Sequence, residues 1–221
     1  MGGSTSPAGQ EHDALDELPA LDELPAQLTG ADRKLDSGGR IGAEIRQLRL
    51  AKGMTLKEVA DRAGISIGLL SQLERGRSLL AVATLMKLSD ALGVPMNFFF
   101  SKAETRDDDE GDVVVRAAKR RQLTFPGLGI REDLLSPDLA GPIEMLLSTI
   151  EPGADCGEAY SHRGDEAGFL LSGSLDLWVG DRHFKLHAGD SFSFPSTTPH
   201  RYRNEGAETA RIVWIITPPF Y

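Results

Sequence analysis

Cysteine is almost absent from these 221 residues, and Cys156 stands alone. A single thiol closes no intramolecular disulfide, so stability must come from packed cores, and the usage fits a reducing cytosol. With no second cysteine, Cys156 reads as a small unreactive side chain. Aromatic residues make up only 6% of the chain. No apolar run approaches the length of a membrane helix, and no signal-peptide pattern opens the chain, so a cytoplasmic protein without a membrane partner is expected. Positive charge is scarce overall, with a formal net charge of −9. Such a balance excludes non-specific nucleic-acid binding by the chain as a whole. Its distribution is uneven, however. Residues 40–100 hold nine basic and five acidic side chains, a net of +4, whereas residues 1–39 carry −6 and residues 101–221 carry −7. Only one part of the chain is suited to meeting phosphates.

That part contains TLKEVADRAGISIGLLSQLERGRS, residues 55–78. Thr55 followed by Glu58 is a capping box and marks a helix start. Leu56, Val59, Ala60 and Ala63 recur at helical spacing, and Gly64 supplies the backbone freedom to stop the helix. Ser66 caps a second helix in which Leu70 and Leu73 face inward, leaving Ile67, Ser71, Gln72 and Arg75 outside. Two short helices joined by a tight turn outline a helix-turn-helix, whose second helix enters the DNA major groove. The competing description, an ordinary helical hairpin, does not explain the polar outer face. Ile41, Ile45 and Leu48 predict a preceding helix. Leu85, Leu88 and Leu92 predict a following one, closed by Gly93 and Pro95.

Four segments follow from composition and period. Residues 1–35 are acidic, contain LDELPA twice in succession, and are expected to be a disordered tail. Residues 36–100 form the helical domain of four to five helices, and the polar stretch 101–112 is the expected linker. Residues 113–221 read as short strands separated by turn residues: VVVRA, IEMLLSTI, AGFLLSG, SLDLWVG, RHFKLHAG, SFSFP, HRYRN and RIVWIIT. That pattern predicts an antiparallel sandwich or small barrel. The fold class is therefore α+β multidomain, an all-α bundle followed by an all-β domain.

Residues 41–99, with EIRQLRLAKGMTLKEVADRAG, ISIGLLSQLERGRS and VATLMKLSDALGVPMNFFF, resemble the helix-turn-helix domain of phage-repressor-type (XRE family) bacterial regulators. Leu79-Leu80 departs from that pattern, where a polar residue and a proline are usual. In the β domain, PGADCGEAYSHRGDEAGFLLSG carries His162, Glu166 and Gly173, and GDSFSFPSTTPHRYRN carries Gly189, Pro195, His200 and Asn204. These resemble the two motifs of the cupins, a double-stranded β-helix related to the jelly roll. The resemblance implies metal ligands at His162, Glu166 and His200. Tyr160 stands where a further His is usual, and Thr197 where a Gly is. Two His and one Glu can hold Zn, Fe, Ni or Mn. A tyrosine must first lose a proton of pKa about 10. A metal-free pocket that hydrogen-bonds a ligand is the alternative. Strand alternation places His200, Tyr202 and Asn204 on one face, and Ile212, Trp214 and Ile216 on another.

From residue 40 onward the chain resembles the XRE–cupin regulators, including the putrescine-utilisation repressor group. The resemblance implies a bacterial cytoplasmic transcriptional regulator, nucleoid-associated when bound to DNA and acting as a repressor. Its partners would be a palindromic double-stranded operator and a small-molecule effector: a polyamine, an amino acid or a derivative. A homodimer or higher even oligomer would place two heads on the palindrome. Ser66, Ile67, Gly68, Leu69, Ser71 and Gln72 are the candidates for the groove, with Gln72 able to read adenine bidentately. Thr55, Lys57, Arg75 and Arg77 are candidates for phosphate, although Arg75 could instead pair internally with a carboxylate such as Glu44. Tyr160, His162, Glu166, His200, Tyr202 and Trp214 are the candidate ligand-binding residues. Two other functions compete: a metal-dependent cupin enzyme with an accessory DNA-binding domain, and a DNA binder whose cupin only dimerises. The missing His at Tyr160 weighs against the enzyme, and no catalytic residue is assigned.

Overall fold

A computed structural model describes residues 37–100, 113–137 and 141–219. The expected acidic tail and the expected linker lie outside the described residues. Four helices come first: α1 (Ser37–Ala51), α2 (Leu56–Ala63), α3 (Ile67–Glu74) and α4 (Val82–Leu92), followed by a 3-10 turn at Met96–Phe99. The capping box forms as expected. Thr55 Oγ1 accepts from the Glu58 amide at 3.2 Å, and Glu58 Oε2 accepts from the Thr55 amide at 2.7 Å. Gly64 turns the chain at φ +63°, and Ser66 Oγ accepts from the Leu69 amide to start α3. Ile41, Ile45, Val59, Leu70, Leu85 and Leu88 close the helical core with no exposed surface. Each such side chain contributes about 1.5–3 kcal/mol by leaving water.

Arg75 does not pair with Glu44. Glu44 takes Arg40 at 2.8 Å, and Arg75 is exposed. The buried pair is Arg49 on α1 with Glu74 at the end of α3, two nitrogens on two oxygens at 2.6 and 2.8 Å. Glu74 falls on the inward stripe, four residues after Leu70 and beside Leu73, and the next residue is carried round to solvent.

Nine strands follow: β1 (Gln122–Phe125), β2 (Ile130–Leu134), β3 (Glu144–Ile150), β4 (Asp165–Ser172), β5 (Ser174–Val179), β6 (Arg182–His187), β7 (Ser191–Pro195), β8 (His200–Arg203) and β9 (Ala210–Thr217). All pairings are antiparallel, in a six-stranded sheet ordered β1-β2-β3-β9-β4-β7 and a three-stranded sheet ordered β6-β5-β8. The strand expected at VVVRA does not form. Val113 and Val114 are exposed, and a 3-10 turn begins at Ala117. The sheet instead begins at β1 and β2, whose Arg131, Glu132 and Asp133 conceal the apolar alternation. On β9, Ile212, Trp214 and Ile216 point into the core, and on β8 His200 and Tyr202 do the same.

The helices and strands pack as one compact unit from residue 35 onward. Leu79, unusual in sequence, lies against Gly127 in the turn between β1 and β2. A Cβ at Gly127 would come within 2.3 Å of Leu79 Cδ2, and its φ of +79° also favours glycine. Lys87 on α4 reaches Glu158 at 3.9 Å, and Arg121 lies over the Phe100 ring.

Candidate functional site

The outer face of α3 is polar and solvent-facing. Ser66, Ile67, Gly68 and Gln72 are exposed, while Leu69 and Ser71 are half-buried. Leu70 and Leu73 on the opposite face anchor the helix, so these side chains project from a rigid support. Lys57, Arg75 and Arg77 are exposed around this face. Lys57 meets Asp61 at 2.6 Å, an exposed pair that a phosphate could replace. Thr55 is also exposed, though its hydroxyl is engaged in the cap.

The second region is a cavity between the helices and the β sheets. Tyr160, His162, Glu166, Tyr202 and Trp214 line it. His200 does not line it but lies directly against Glu166. Glu166 Oε1 is 2.6 Å from His162 Nε2 and 3.2 Å from His200 Nε2, and Glu166 Oε2 accepts from the Trp214 indole at 2.7 Å. Each imidazole Nδ1 faces a backbone carbonyl at 2.9 Å, that of Arg163 for His162 and that of Thr198 for His200. A carbonyl only accepts, so each Nδ1 carries a proton. The Nε2 lone pairs would then face a carboxylate oxygen, which requires either a second proton on the rings or a shared cation. Glu166 Oε1 and His200 Nε2 are buried without an aligned hydrogen bond, and the three ligand atoms lie within 4.8 Å of one another. The donor set therefore fits a divalent metal, with both rings oriented by second-layer carbonyls.

Burial would raise the Glu166 carboxyl, but the pull of His162 and His200 outweighs it and holds the group down at about 2. Tyr160 differs: burial, then the nearby Cys156, Glu166 and Glu132, push its phenol well above the usual range. It stays neutral and packs its ring edge-on against His200 at 4.4 Å. The same burial pushes the Cys156 thiol up to about 12.

Comparison with known proteins follows the same division. Residues 45–99 match the helix-turn-helix family and residues 146–216 the cupin domain family. Over 60 residues the chain is 45% identical to the uncharacterized HTH-type transcriptional regulator y4dJ of Sinorhizobium fredii (strain NBRC 101917 / NGR234), covering 27% of this chain and 78% of that protein. The chain belongs to the helix-turn-helix transcriptional regulators. The regulator is also 27% identical over 183 residues to the HTH-type transcriptional regulator PuuR of Escherichia coli (strain K12), across 83% of this chain and 97% of that one. A crystal structure of an HTH_3 family transcriptional regulator from Vibrio cholerae shares the fold, with a TM-score of 0.58, 23% identity, and coverage of 81% and 96%. An XRE-type head and a cupin body are thus joined in one chain.

Several cavity residues escaped the sequence reading. Val82, Met86, Met96 and Phe100 come from the helical part, and Glu132, Glu144 and Ser148 from β2 and β3. The helical ones look like ordinary core residues in sequence. Glu144 carried a usable signal, a carboxylate at an inward position of the otherwise apolar strand β3.

Proposed function

We propose that this regulator is a repressor that binds a palindromic operator as a homodimer, and that an effector in the cupin cavity alters its operator affinity. The observation that carries this reading is the shared wall. Met86 and Phe100 of the helical part and Tyr160, Glu166 and Trp214 of the β part border the same space. An occupant touches both, so its binding energy depends on how the head is held, which is the requirement for coupling the two sites. The effector is a polyamine, an amino acid or a derived metabolite. His162, Glu166 and His200 would hold a divalent Zn, Fe, Ni or Mn, and such an ion would supply an electrophilic anchor for a ligand atom. Residues 36–100 act as the head and 113–221 as the sensing and dimerising body, joined by 101–112. The protein works in the cytoplasm, at the nucleoid when bound, and is not an enzyme: the extra His of metal-dependent cupins is replaced by a neutral Tyr160.

In this reading Ser66, Ile67, Gly68, Leu69, Ser71 and Gln72 meet the groove, and Thr55, Lys57, Arg75 and Arg77 meet phosphates. Selection from random duplexes with the full chain should return a palindrome. Gln72→Ala should then lose about 1–3 kcal/mol on the selected site and relax one base position. Arg77→Ala should weaken all sequences alike and flatten the salt dependence. Unchanged affinity in a folded Gln72→Ala protein would remove α3 from the reading surface.

A further inference from the structure

The two β sheets differ on their outer faces. On the three-stranded sheet that face is polar, with Lys185, Arg201 and Arg203 beside Asp176 and Trp178. On the six-stranded sheet Leu146, Ile150, Leu170, Ile212, Trp214 and Ile216 point inward and fill the core. Strand alternation then sends Met145 and Leu147 on β3, Ala167 and Phe169 on β4, and Val213 and Ile215 on β9 to the opposite side. The register sets them side by side. Leu147 and Phe169 flank Val213, and Met145 and Ala167 flank Ile215. None of the six belongs to the core cluster or packs against it. Phe169 is 45% exposed, and all the others except Leu147 are half-buried. A two-layer fold accounts for one apolar face per sheet, and this sheet has two. Polar positions border the patch, Arg131 and Asp133 on β2 and Ser191 and Ser193 on β7. An apolar centre inside a polar rim is the anatomy of a protein interface.

We infer that a second copy of this chain docks face to face on the outer side of the six-stranded sheet, about a two-fold axis that lies in the interface and crosses the strands. This rests on the homodimer of the proposed function and adds its surface and its orientation. The ends of the patch carry opposite charges. Arg211 stands at one end, opposite Thr149, and Asp165 at the other, opposite Thr217. Neither side chain has an ion pair or hydrogen bond among the described residues. An axis across the strands reverses their direction between the copies, so the Arg211 end of each meets the Asp165 end of the other, twice over. An axis along the strands would set like ends together, which costs energy instead of gaining it. Five strands about 4.8 Å apart, carrying outward residues about 6.8 Å apart, cover roughly 24 Å by roughly 27 Å in projection. That is the scale of a standard interface, which takes about 800 Å² of accessible surface from each partner.

Sedimentation of the full chain at micromolar concentration tests this, and wild type should run as a dimer. Phe169→Lys, at a position the core does not use, should raise the dissociation constant at least about ten-fold while circular dichroism shows the fold retained. Arg211→Glu and Asp165→Arg should each weaken the dimer, and the double variant should recover it. Lys185→Glu, on the outer face of the other sheet, should leave it intact. A wild-type dimer that survives Phe169→Lys unchanged would overturn this face and leave the homodimer standing. Dissociation by Phe169→Lys without recovery in the double variant would overturn the axis. A wild-type chain that sediments as one protomer would overturn the second copy as occupant together with the paired-head reading, and would assign the face to another macromolecule.

Discussion

Glu132 is a buried carboxylate, and its surroundings differ sharply from those of an exposed one. It is raised to about 8 by burial, against Ser148 and with the charges of Asp133 and Glu144. Unfolded, a glutamate titrates near about 4.3. Between these values the native state keeps a proton that the unfolded state has lost. The stability from this group is therefore fully present below about pH 4.3 and is lost as pH rises toward 8. Denaturant unfolding of wild type and Glu132→Gln at pH 5.5, 6.5 and 7.5 should diverge. The variant should gain on wild type with a slope of up to about 1.4 kcal/mol per pH unit. A difference independent of pH would show that Glu132 is ionised in the native protein. The sequence exposed His162, Glu166 and His200 because they lie in ordered motifs. Glu132 and Glu144 lie in no motif, and only the folding of β2 and β3 brings them to one space.

At the scale of elements, caps and turns were legible because their hydrogen bonds are local. Thr55 with Glu58, Gly64 and Ser66 each act within a few residues. The pairing of α1 with α3 is not local. Arg49 and Glu74 lie 25 residues apart and are both buried, and the hydrogen bond that Arg49 donates to Glu74 raises its guanidinium further. Removing one member leaves the other charged and desolvated, so Glu74→Ala should cost about 3–5 kcal/mol. Arg75→Ala, at an exposed neighbouring position, should stay within about 0.5 kcal/mol. Thermal and urea unfolding of the two variants decide the matter, and equal losses would refute the buried pair as the link. The strand misread at VVVRA has the same origin. Three valines favour a strand, but pairing depends on a partner edge, and the edge was taken by β1.

For the whole molecule, no helix among the described residues is long and apolar enough to cross a membrane. The charge distribution of +4 on residues 40–100 and −7 on residues 101–221 favours a single orientation toward DNA, with the body held away by repulsion. If the body dimerises, sedimentation of the full chain should give twice the 23.9 kDa chain mass. The selected operator should then have half-sites about 34 Å apart, one helical turn. A monomer at micromolar concentration that still binds a single half-site with full affinity would reject the paired-head arrangement.

By itself the sequence determined the helical head, the all-β body, the two helices of the helix-turn-helix and the cupin-motif triad. Those features depend on period, caps and ordered spacing, which are properties of short stretches of chain. Tertiary structure alone decided that Leu79 rests on Gly127, that Met86, Met96 and Phe100 close the space above Trp214, and that Glu132 and Glu144 face it. Contacts between residues far apart in sequence leave no local pattern. Their energy comes from surfaces that become neighbours only after both parts have folded.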